Sequence, residues 1–207
     1  MKQKQLAGLF SFIMLLPAWT AAAPSLQGST GNIVVPSADV LRLGQFDLGY
    51  YHETGEKTAV AAVGISRNWE LSAARREREH GTDYTAVNLK YAVAQESITE
   101  PGLAIGVEDI SAEGDRSLYV VASKGLPFGI RLHAGCGNGS YGGLFYAVEK
   151  KITPHAAGGV FPDAAVLVEN NGHETDYGIR ISLSKGLKAT AGWHDGEKFI
   201  GFTYNYY

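Results

Sequence analysis

Lys198-Phe-Ile-Gly-Phe-Thr-Tyr-Asn-Tyr-Tyr207 ends the chain, and the way these ten residues read decides the fold. Side chains of an extended strand alternate between two faces. Ile200, Phe202, Tyr204 and Tyr206 therefore share one face, and Gly201, Thr203 and Asn205 share the other. A domain surrounded by water gains nothing by presenting four large apolar side chains together at its terminus. A strand with lipid on one side and a crowded, small or polar interior on the other requires that pattern. Tyr207 falls out of step with the apolar set and is expected at a rim.

The same rhythm recurs from Gln45 onward. Segments of alternating polarity are predicted at about 45–53, 57–66, 69–78, 82–93, 101–110, 116–124, 129–138, 142–151, 163–171, 174–184, 187–195 and 198–207. Each has roughly the nine to eleven residues that a tilted strand needs to cross a bilayer. None has a helical period. Parity supports the reading: Ile130, Leu132, Ala134 and Cys136 oppose Arg131, His133 and Gly135, and Tyr177, Ile179, Ile181 and Leu183 oppose Gly178, Arg180 and Ser182. The prediction is an all-β, closed antiparallel transmembrane β-barrel of about twelve strands with short loops. An even count puts both termini at one end, and the more acidic connections at the other. A soluble β-sandwich would alternate in the same way with its apolar face inward, so an exported soluble sandwich or barrel acting as a binding module is the alternative. Against it stands the second face, which carries Gly, Ala and Ser where solvent would favour long charged side chains.

Residues 1–22 read as a secretory signal peptide. Lys2 and Lys4 precede an apolar core from Leu6 to Leu16, Pro17 breaks it, and Thr20 and Ala22 are small enough for a cleavage site. The apolar core is too short to span a membrane as a helix. Residues 23–44 form a periplasmic lead or plug, and 45–207 the barrel. A net charge of −3 gives no electrostatic case for nucleic acid. The single cysteine, Cys136, has no partner for an internal disulfide.

Gly28-Ser-Thr-Gly-Asn-Ile-Val-Val-Pro-Ser-Ala38, followed by Gly44-Gln-Phe-Asp-Leu-Gly-Tyr50, resembles the entry motif of outer-membrane barrels in the YjbH-like group. There a Thr-Gly segment with two hydrophobic residues, Pro and Ala leads through a Gly-Gln or Gly-Glu turn into the first strand. The C-terminal strand resembles the signature strand that the barrel-assembly machinery reads. These resemblances imply a place in the bacterial outer membrane, contact with outer-membrane lipid and with that machinery, and an association with exopolysaccharide export. They bring no residues for handling a glycan.

The alternation assigns Asp47, Glu70, Arg76, Asn88, Lys90, Glu108, Arg131, His133, Glu149, Arg180, Lys188 and His194 to the lumen. Both signs are present, so the set is expected to pair across the barrel, because a desolvated charge without a partner is expensive. Two readings of the lumen stay open: a closed or plugged structural component of the envelope, and a narrow passive channel for small solutes, in either case one that polysaccharide could engage. Tyr50, Trp69, Tyr91, Tyr177, Trp193, Phe202, Tyr204 and Tyr206 are assigned to the lipid face, several as interfacial belts near strand ends. A lipid-modifying enzyme is a further alternative, since His52, His80, His173 and His194 fall near one set of strand ends beside Glu53, Glu174, Asp195 and Ser140. No nucleophile motif accompanies them, and no His-x-His or Glu-x-x-His spacing offers a metal site. Gly137, Gly139 and Gly142 match Gly-x-Gly-x-x-Gly in a hairpin loop with no following helix, which rejects a dinucleotide site. The chain is therefore read as a non-enzyme, with no catalytic residue, metal or cofactor assigned.

Overall fold

The structure, a computed structural model, describes residues 23–152 and 162–206. The signal-peptide segment and the rim position of Tyr207 lie outside the described residues. Two short strands, β1 (Ala23–Pro24) and β2 (Thr30–Gly31), form a small ladder. Twelve longer ones follow: β3 (Phe46–Glu53), β4 (Glu56–Gly64), β5 (Trp69–Arg78), β6 (Tyr84–Ala94), β7 (Gly102–Glu108), β8 (Ser117–Leu126), β9 (Ile130–Gly137), β10 (Gly143–Ile152), β11 (Ala164–Asn170), β12 (Thr175–Ser182), β13 (Leu187–His194) and β14 (Glu197–Tyr206). Each pairs antiparallel with the next, and β14 returns to β3 from Phe199↔Glu53 to Tyr206↔Phe46, closing the barrel. Among the described residues no helix is long and apolar enough to cross a membrane.

All twelve expected strands are present, with boundaries moved by turn chemistry. The segment expected to run to residue 110 stops at Glu108, because Asp109 adopts φ 53 and turns the chain. Between β13 and β14 the pairing runs to His194↔Glu197, leaving Asp195 and Gly196 at φ 49 and 72. Positive φ at both central residues marks the tight hairpin turn whose twist matches that of the strands.

The two faces of the wall are inverted relative to a water-soluble domain. Ile200, Phe202, Tyr204 and Tyr206 point outward and are exposed, while Phe199, Thr203 and Asn205 point inward and are buried. Cys136 is likewise on the outer face. This distribution removes the sandwich alternative, whose apolar face would have to be internal. Outward aromatics gather at both ends: Phe46 stacks on Tyr206 at 5.0 Å and Trp69 meets Tyr91 in a tilted contact at 4.7 Å at one end, and Tyr177 pairs with Trp193 at the other. Tyr50 pairs with Phe202 in the middle of the wall, away from either rim.

Inside, glycines face aromatic rings across neighbouring strands. Tyr51 lies opposite Gly201, Tyr119 opposite Gly106 and Phe145 opposite Gly135. A Cβ on Gly201 would meet the Tyr51 ring at 2.1 Å, and one on Gly106 would meet Tyr119 at 2.3 Å. The small residues of the inner face are thus the floors on which large rings lie flat, and they let a narrow barrel hold both rings and a chain segment.

Candidate functional site: a plugged lumen

Residues 23–41 fold inside the barrel. Their own backbone bonds make a compact knot: Ser25 N–H donates to Ser29 O, Leu26 N–H to Ile33 O, Asn32 N–H to Val35 O and Ser37 N–H to Thr30 O. Gly31 bridges Pro36, and a Cβ there would meet the Val35 carbonyl oxygen at 2.5 Å, so glycine is required at this point. Leu26, Ile33 and Val34 pack against Tyr51, Val60, Ala74, Leu167 and Phe199 of the wall. Val35 and Ala38 pack against Tyr119, Val121, Tyr141, Phe145 and Ala147. Fully burying such side chains stabilises by about 1.5–3 kcal/mol each.

The charged lumen residues grip the main chain of this plug. Glu70 accepts from Thr30 N–H at 2.8 Å, from Thr30 Oγ1 at 2.9 Å and from Leu41 N–H at 3.0 Å. Lys90 donates to Thr30 O at 2.8 Å and binds Thr30 Oγ1 as well. Arg76 donates to Leu26 O and to Gln27 Oε1, and also pairs with Glu56 at 2.7 Å. Arg180 donates to Asn32 O at 2.9 Å, with Glu149 at 3.9 Å behind it. Arg131 clamps Asp39 of the plug and Glu96 of the β6–β7 connection, each at 2.8 Å. Asn88 donates to Gln27 O. Ser123 accepts from Ala38 N–H and is held by His133 Nδ1 at 2.7 Å.

The remaining predicted lumen residues also face inward but touch the wall. Glu108 accepts from Tyr141 OH at 2.7 Å, Asp47 faces Asn205, and Lys188 faces Thr203. His194 sits at the rim opposite the termini, 3.1 Å from Asp176. The expected pairing of opposite charges across the lumen is therefore only part of what is found. Five of these side chains, Glu70, Arg76, Asn88, Lys90 and Arg180, instead satisfy backbone groups of the plug, which would otherwise be buried without partners at a cost of about 1–3 kcal/mol each.

Sequence reasoning missed the anchor with the most backbone bonds. Glu169 in β11 is fully buried, and its carboxylate accepts N–H bonds from three consecutive residues, Ile33 at 3.0 Å, Val34 at 2.6 Å and Val35 at 3.0 Å. Successive N–H groups converging on one anion form a small anion-binding concavity, here occupied by a side chain of the barrel wall. The parity of Ala165, Leu167 and Glu169 was the available signal. The stretch Thr30–Ala38, which carries the sequence resemblance, is the part of the plug that Glu70, Lys90, Glu169 and Ser123 hold.

At the opposite rim Asp109 closes its loop. Burial raises its pKa, but the Ser111 hydroxyl and the N–H groups of Gly114 and Glu113 outweigh that and hold the carboxyl below the usual carboxylate range. Of the four rim histidines, His52 points outward and His194 inward, so the two do not share one site.

A closed antiparallel barrel with an apolar outer wall and a folded N-terminal plug is thus the class to which the molecule conforms. The chain belongs to the YjbH family: the family model described as "Exopolysaccharide biosynthesis protein YbjH" matches residues 24–160, well beyond the entry motif alone. No curated protein matches the chain. Among solved structures it is similar to the N-terminal β-barrel domain of Pseudomonas aeruginosa OprF, at 12% identity over 78% of this chain and 96% of that one, with a TM-score of 0.23.

Proposed function

We propose that the protein is an outer-membrane barrel with a lumen closed by its own N-terminal segment, serving as a structural component of an envelope system that handles exopolysaccharide. The observation that carries this reading is the plug. Residues 23–41 fill the interior and are bound there by six wall side chains whose charge or amide would otherwise be free to line a passage. A passive pore needs lining groups that bind a solute weakly enough to release it, and here those groups are committed to main-chain partners. The apolar outer wall fits contact with membrane lipid, and the aromatic ends fit the two interfaces. Family membership supports the link to exopolysaccharide. Delivery would run through the signal peptide and the barrel-assembly machinery, and the reading is non-enzymatic.

Planar-bilayer recording of the full mature chain tests it. The wild type is expected to be silent, and a chain lacking residues 23–41, verified as folded by heat-modifiable migration, is expected to conduct. Steady unitary conductance from the intact protein would favour the channel reading instead.

A further inference from the structure

The rim opposite the termini carries a side-chain cluster that the plug does not use. Asp176 is the second residue of β12 and His194 closes β13, one register step beyond the pair Tyr177↔Trp193. His194 Nδ1 lies 3.1 Å from Asp176 Oδ1 and 3.7 Å from Glu174 Oε1. One donor atom from each of the three lies within 4.8 Å of the others. Ligand atoms around a tetrahedral ion with bonds near 2.1 Å stand about 3.4 Å apart, so only small side-chain adjustments separate this arrangement from a coordination sphere.

The surroundings carry more negative charge than the protein balances. Glu169 stands directly across β11–β12 from Asp176, and both are fully buried. Glu169 is committed to the plug, whereas Asp176 Oδ2 is buried with no hydrogen-bond partner. Glu53 is only 8% exposed, and no donor among the described residues binds its carboxylate. The charges beside it are those of His194, Arg76, Glu56 and Asp176. The cations beside these carboxylates are His194 and Arg76, and Arg76 is already paired with Glu56, so the group stays net negative, and an unpaired buried charge costs several kcal/mol. We propose that Glu174, Asp176 and His194 form a binding site for a first-row divalent transition-metal cation, with Glu53 as a neighbouring carboxylate. One imidazole nitrogen among carboxylate oxygens suits zinc and its neighbours better than magnesium or calcium, which take oxygen-only sets. The three ligands come from β12, β13 and the 171–174 connection, so the ion would tie one hairpin to the adjoining loop.

The test uses the full mature chain folded in detergent, stripped with chelator and titrated with Zn²⁺ in a calorimeter. One saturable Zn²⁺ site is expected, weakened at least tenfold by His194→Ala and by Asp176→Asn, and undiminished by a hundredfold excess of Mg²⁺. Heat-modifiable migration checks that each variant is folded. Glu174→Gln, in the loop, is the variant least able to disturb the barrel and is expected to weaken Zn²⁺ several-fold. Absence of saturable uptake by the wild type would mean that His194 makes an imidazolium–carboxylate ion pair only, and the proposal would fall. It would fall equally if uptake persisted unchanged in both His194→Ala and Glu174→Gln, or if Mg²⁺ displaced the zinc.

Discussion

Glu70 and Lys90, register partners across β5 and β6, lie 3.3 Å apart and hold one plug residue, Thr30, between them. The carboxylate takes the Thr30 N–H and the ammonium takes its carbonyl oxygen. Both side chains are essentially without solvent exposure, so neither charge has water to fall back on. Breaking a buried pair by removing one partner costs about 3–5 kcal/mol, because the other charge is stranded. Lys90→Met is therefore expected to destabilise by about that much. The double variant Glu70→Gln/Lys90→Met should lose clearly less than the two single changes combined. Urea unfolding of the protein in lipid vesicles, run as a double-mutant cycle, measures this; additive losses would mean that the two residues hold the plug independently.

Glu169→Gln separates anchoring of the plug from integrity of the wall. A carboxylate offers two acceptor oxygens to Ile33, Val34 and Val35, whereas an amide must turn its NH₂ toward at least one of those N–H groups. Hydrogen bonds to a charged partner contribute about 1.5–3 kcal/mol each. The variant is expected to exchange the amide protons of Ile33, Val34 and Val35 at least tenfold faster than the wild type. Amides in the centre of β4, paired with β3 and β5, should keep their protection. Uniform acceleration in plug and wall alike would show that Glu169 stabilises the barrel as a whole.

These two anchors also mark how far the sequence could be read. Period-two alternation is a property of each strand alone, so the twelve strands, the outward set of Phe202, Tyr204 and Tyr206, and the inward side of Arg131 and Arg180 were all legible. What Arg180 binds was not, because its partner is the carbonyl of Asn32, and a backbone oxygen leaves no signature in residue type. The inward parity of Glu169 was legible though passed over, but its partners were not, because they are N–H groups of three apolar residues. Glu174, Asp176 and His194 lack any metal-binding spacing, since hairpin register and not local sequence brings them together. The Thr30–Ala38 motif was recognisable as a resemblance, but its role as the docking face of a plug required the fold.

Tyr51 and Gly201 give a test of packing. The Tyr51 ring covers Gly201, and its hydroxyl donates to the Pro24 carbonyl oxygen, so wall glycine and plug backbone are linked through one side chain. Gly201→Ala places a methyl group where ring carbons now stand and forces the ring off its floor. Overpacking of this kind costs about 1–3 kcal/mol. The thermal midpoint should fall, and Tyr51→Ser should relieve part of the strain, so that the double variant is more stable than the two separate losses predict. A Gly201→Ala protein as stable as the wild type would show that the ring can shift freely, and that the tight approach to Gly201 is not needed.

Acidification should act first on the loop after β7. Asp109 is held below the ordinary carboxylate range by the Ser111 hydroxyl and by the N–H groups of Gly114 and Glu113. A depressed folded-state pKa means that the charged form stabilises the loop. That contribution is fully present above the unfolded value, near 3.9, and is lost as pH falls through the folded value. At neutral pH, Asp109→Asn should therefore open residues 109–116 to protease, while the barrel strands stay resistant. As the pH falls below the unfolded value and through the lower folded one, the wild type should approach the variant, because protonation removes the same charge. Limited proteolysis with an acid-active protease in a descending pH series from 4, and with a neutral protease at pH 7, reads both arms. A wild-type loop that stays fully protected down the whole acid series, while the variant is cut, would assign its order to Arg116, which donates to the carbonyls of Asp109 and Ile110, and to the shape of the turn.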